Sequence, residues 1–124
     1  MTSIRSLCVY CGSSPGRDPS YLKAAETLGA AMRQAGLSPR TRLWAMIETP
    51  RAVLDIARIA ATAEDASCLL ALFILGTNDI ARETHARMVK GRAPMLSWIS
   101  QCVLAARAYG LSILDSVHND IKDI

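Results

Sequence analysis

The chain has 124 residues, room for one domain with a core and little beyond it. It is 51% hydrophobic, 20% charged and 5% aromatic, and no run approaches the ~20 apolar residues that span a bilayer. Its net charge of +3 comes from scattered Lys and Arg with no interleaved aromatics, which excludes a nucleic-acid surface as well as a membrane span.

Residues 1–6 carry no apolar h-region and no small-residue cleavage site, so no signal peptide is expected and the protein reads as soluble and cytoplasmic. Residues 4–10 form a short apolar run that predicts a strand, followed by the Gly12-Ser13-Ser14 turn. Asp18-Pro19 supplies a cap and a first helical residue. Apolar positions from Leu22 to Met32 recur at helical spacing until Gly36. Residues 43–47 predict a second strand, and Thr49-Pro50 opens a helix that runs to about Glu64. A third strand covers residues 69–75, and a short helix covers 80–88. Pro94 opens a helix closed by Gly110, before a fourth strand at 111–114.

The order is βαβαβαβ, and the strands are continuously apolar rather than alternating, which predicts a parallel sheet buried on both faces. The fold expected is a single α/β domain over residues 1–124 with about four parallel strands. It is either a Rossmann- or flavodoxin-like sheet in order 2-1-3-4 or half a TIM barrel in order 1-2-3-4. In the half-barrel, right-handed crossovers put every helix on one face. The other face is left bare, with Trp44, Met46, Phe73 and Leu75 expected on it, and self-association into a homodimer or higher oligomer follows.

In parallel α/β architectures ligands bind beyond the carboxyl ends of strands. Three such ends are polar here. Gly12, Ser13 and Ser14 form a loop able to meet a phosphate or nucleotide, since glycine permits close approach and serines donate hydrogen bonds. Glu48 and Asp79 both follow apolar strands and offer hard oxygens suited to weakly bound Mg²⁺ or Mn²⁺. Each acid has a second reading as the cap of the helix that follows it. Cys8 and Cys11 form a C-x-x-C at a strand end, where residues three apart point to opposite faces. With Cys68 and Cys102 they are expected to be reduced and mostly buried. His85 and His118 have no partners at metal or triad spacing, and no catalytic residue is assigned.

The run CVYCGSSPG with the helix DPSYLKAAETLGAAMRQAGL, residues 4–37, resembles the start of the LOG family of cytokinin-activating phosphoribohydrolases. That family's GGGxxGLM and PGGxGTxxE motifs do not occur here. Residues 38–124 resemble the later half of the HpcH/HpaI aldolase and citrate-lyase-β-like (βα)₈ barrel. The resemblance rests on LWAMIETPRAVLDIARIAA, LFILGTNDIARET and GRAPMLSWISQCVLAARAYGLSILDSVHNDIKD. It implies that Glu48 and Asp79 bind a divalent metal. It also implies that the arginine for the substrate carboxylate or carbonyl, and most of the acyl-CoA surface, belong to a barrel half not found in this chain. With a seam near residues 36–41, the expectation is a recombined, engineered chimera without evolved catalytic function and with no required cofactor. The alternatives are a divalent-metal-dependent aldolase or citrate-lyase-like remnant, and a weak nucleotide or phosphate binder through Gly12 to Ser14.

Overall fold

A computed structural model describes residues 18–36, 38 and 40–118. The chain divides into two compact units, residues 1–37 and 38–124. In the first, helix α1 (Pro19–Gln34) opens on Asp18, whose Oδ1 accepts the Ser20 backbone N–H at 2.8 Å. That hydrogen bond holds the Asp18 carboxyl below its ordinary range. Gly36, at φ +72°, follows the last turn in the left-handed conformation that glycine adopts without strain. The expected strand at 4–10, with Cys8, Cys11, Gly12, Ser13 and Ser14, lies outside the described residues.

The second unit is an α/β fold. Strands β1 (Leu43–Ile47), β2 (Leu70–Leu75) and β3 (Ser112–Leu114) form a parallel sheet in the order β1-β2-β3. Because β1 pairs directly with β2, the sequential order of a half-barrel holds and the wound 2-1-3-4 order, which would put a strand between them, does not. The connections carry α2 (Pro50–Leu54), α3 (Ile56–Ala61), α4 (Thr77–Thr84) and α5 (Leu96–Ala108).

The helix predicted from Thr49 to Glu64 is broken at Asp55, where φ −95° and ψ 7° leave the helical region. Gln101 Nε2 donates to the Val53 carbonyl at 3.2 Å, so α5 satisfies an acceptor just before the break. The helix after β2 starts at Thr77, three residues earlier than expected, and ends at Thr84 with His85 left-handed at φ 54°.

The core lies between the helices and one sheet face. Ile47, Phe73 and Leu75 meet Ile56, Ala60, Cys102, Ala105 and Ala106, and the small alanines let α3 and α5 approach each other. Burying an apolar side chain of this kind stabilises by ~1.5–3 kcal/mol. The opposite face is bare, as the half-barrel order predicts for Trp44 and Met46 and against burial on both sides: Trp44, Met46 and Leu114 are 59%, 49% and 47% exposed. Phe73 and Leu75, expected beside them, are instead buried in the core. The pairs Trp44↔Leu72 and Met46↔Ile74 put the intervening Phe73 and Leu75 on the helix side of the pleat.

Candidate functional site at the carboxyl end of the sheet

β1 leads straight into Glu48, on the side of the pleat that carries Trp44 and Met46. The next residue, Thr49, is the N-cap of α2: its Oγ1 accepts the Ala52 N–H at 3.2 Å, and Pro50 occupies the first helical position. Thr49 therefore takes the capping role, and Glu48 does not. Among the described residues the half-buried Glu48 carboxylate has no ion pair and no hydrogen bond.

One strand over, Gly76 follows β2 and is the N-cap of α4. Its N–H donates to the Ile47 carbonyl at 2.8 Å, which keeps the two strand ends laddered. A Cβ on Gly76 would stand 2.5 Å from Glu48 Cβ, 3.2 Å from its Cα and 3.5 Å from its Oε2. Glu48 thus lies directly against the bare backbone at the head of α4.

Asp79 is the third residue of α4, in the first turn, where the helix dipole favours an anion. Its Oδ1 accepts from Arg82 Nη2 at 2.9 Å, with the two side chains 45% and 78% exposed. A solvated pair of this kind contributes only ~0–1 kcal/mol, so a cation can displace it.

A third acid, Asp115, follows β3, the same local pattern that marks Glu48 after β1. Arg92 donates from both Nη atoms to its two oxygens at 2.8 and 2.7 Å, across 23 residues. Arg92 is held left-handed at φ 54° beside Gly91 at φ 78°, in a 3₁₀ turn (Lys90–Met95) that leads into α5. The guanidinium, followed by the Ser116 N–H at 2.7 Å, holds the Asp115 carboxyl below its ordinary range, and the Arg92 pKa is raised in return. Asp115 is committed to this clamp. Glu48 is uncommitted.

Among the described residues no group of three or more His, Cys, Asp and Glu side chains is arranged to hold a metal ion. Two carboxylates still suit Mg²⁺, which keeps several waters and commonly takes one or two protein oxygens. A groove of about 490 Å³ along α4, lined by Arg82, His85, Arg87 and Met88 among others, includes neither Glu48 nor Asp79. Cys68 and Cys102 are free thiols, half-buried and buried, and burial pushes the Cys102 thiol up to about 11. Among the described residues no helix is long and apolar enough to cross a membrane.

Sequential parallel strands, helices on one face and acids beyond the strand ends are features of the βα-barrel enzymes. Residues 11–124 match the model of the HpcH/HpaI aldolase/citrate lyase family, and the chain belongs to that family. It is similar to proteins named (3S)-malyl-CoA thioesterase from strains of Cereibacter sphaeroides. Two are 43% identical and a third 42% identical over 89 residues, 72% of this chain and 30% of each relative. The chain thus spans about a third of the length of the curated relatives it matches. No solved structure gives a significant match.

These matches correct the expectation of a recombined, engineered chain without evolved function. The family match, over residues 11–124, spans residues 36–41, where the seam was expected, and takes in most of the stretch that resembled the LOG family. Its curated relatives are named as enzymes.

Proposed function

We propose that this chain supplies the cation-binding strand ends of an enzyme that acts on a malyl-CoA-type thioester, with Glu48 and Asp79 as the protein ligands of Mg²⁺ or Mn²⁺. The observation that carries this reading is the Glu48 carboxylate, half-buried and uncommitted beside the head of the helix that bears Asp79. An acid with no structural partner at the carboxyl edge of a parallel sheet is available for ligand work. Glu48 and Asp79 would hold the cation, with Arg82 giving up its pairing with Asp79, and it would supply positive charge to a substrate carbonyl oxygen. The relatives' name supports hydrolysis of the thioester, in which water adds to the carbonyl carbon and the CoA thiol leaves. A cytoplasmic location accompanies this reading, supported by the free thiols of Cys68 and Cys102.

The test has two parts. Titration with Mn²⁺, read by the loss of free-ion signal, should show weak saturable binding, of roughly millimolar affinity. Glu48→Gln and Asp79→Asn should each weaken it by at least about tenfold, leaving the residual affinity of the other carboxylate. Incubation with (3S)-malyl-CoA and Mg²⁺ should release free CoA thiol in the parent and not in Glu48→Gln. Release of glyoxylate and acetyl-CoA in its place would favour the carbon–carbon cleavage suggested by the family description. Binding that keeps parent affinity in both variants would sink the assignment of the ligands.

A further inference from the structure

We infer that Gly76 is a positioning residue for Glu48: its missing side chain determines where the uncommitted carboxylate stands at the edge of the sheet. The inference deepens the metal reading above and rests on it for its purpose, but its geometry stands separately.

Glycine is usually retained for one of two reasons, a backbone conformation closed to other residues or a lack of space. Gly36, Gly91 and Gly110 belong to the first kind, with φ between 69° and 78° and nothing within 4 Å of an added Cβ. Gly76 is the reverse. Its φ of −91° is open to any L residue, so the backbone does not demand glycine. What demands it is the stem of Glu48, 2.5 Å from where the Cβ would stand. The conflict involves Glu48 Cβ and Cα rather than the flexible end of the side chain, so rotating the carboxylate away cannot relieve it. Parting the strands cannot relieve it cheaply either, because the 2.8 Å bond from the Gly76 N–H to the Ile47 carbonyl fixes their separation one residue earlier. An alanine here must therefore push the Glu48 backbone outward and carry the carboxylate with it, away from the first turn that bears Asp79. Displacements of this size degrade a ligand set strongly, since the geometry at a metal is strict.

The experiment is a double-mutant cycle on Mn²⁺ affinity, read by electron paramagnetic resonance of the free ion, with far-UV circular dichroism as the fold control. Gly76→Ala should weaken binding at least about tenfold and keep the helical spectrum. In the Glu48→Gln background the same change should alter the remaining affinity less than about twofold, because the residue it acts through is already gone. Parent-like affinity in Gly76→Ala, or an equal loss in both backgrounds, would overturn the inference. If Gly76→Ala fails to fold, a nuclear Overhauser contact between Gly76 Hα and Glu48 Hβ in the metal-free parent decides it. A strong cross-peak supports the positioning, and its absence overturns it. A parent that shows this contact but binds no Mn²⁺ sinks the metal reading and leaves the positioning intact.

Discussion

Glu48 and Thr49 are adjacent acceptors at the end of one strand, and they take different tasks because only the threonine can fold back onto the N–H of Ala52. Replacing Thr49 with alanine removes that acceptor and should cost about 1 kcal/mol, the usual value of an N-cap. Thermal denaturation reads this directly, and Mn²⁺ binding through Glu48 should survive in the folded variant. An unchanged melting temperature would show that Pro50 alone starts the helix. The two acids of the candidate site were legible because each follows an apolar run, and a parallel sheet brings such positions to one edge. Whether they were caps or ligands was not legible. That choice turns on a single 3.2 Å hydrogen bond from the neighbouring residue. Gly76 was hidden for a different reason. Its partner is 28 positions away, and no local pattern reports a close approach between strands.

Helix ends were readable where glycine terminates them, at Gly36 and Gly110, both with positive φ. The break between α2 and α3 was not, because the apolar spacing of Val53, Ile56 and Ala60 continues through Asp55 and the three share one core. The clamp from Arg92 to Asp115 was equally hidden, joining the turn before α5 to the end of β3. It makes a pH-dependent contribution whose sign follows from the lowered Asp115 pKa. The folded protein binds fewer protons at Asp115 than the unfolded chain does. The contribution is therefore complete above the ordinary carboxylate pKa of about 3.9 and is lost as pH falls through the lower folded value. Asp115→Asn should be less stable than the parent at neutral pH, and the gap should narrow as pH falls below about 4. Urea midpoints across that range measure it. A gap that is constant with pH would mean that the clamp works by shape rather than charge.

For the molecule as a whole, the continuous apolarity of the strands correctly indicated a parallel sheet but overstated its burial, since composition cannot say whether a second layer of chain is present. The face bearing Trp44, Met46 and Leu114 is the one that turns inward in a closed βα-barrel. Three strands about 4.8 Å apart and about five residues long give roughly 230 Å² of such surface. A stable dimer needs about 800 Å² from each partner. The apolar face favours contact with a second copy, but its size makes that contact weak, so association should depend on concentration. Light scattering after size exclusion should give a monomer at low micromolar concentration and a rising mean mass toward the millimolar range. Trp44→Lys places a charge on the exposed face at its edge strand β1, where burial without a partner is costly, and should hold the protein monomeric throughout. It should do so without loss of stability, because a side chain already 59% exposed contributes little to the core. If Trp44→Lys associates as the parent does, the contact lies elsewhere, and the outward-facing Leu54 and Leu104 on the helix layer become the next surfaces to change.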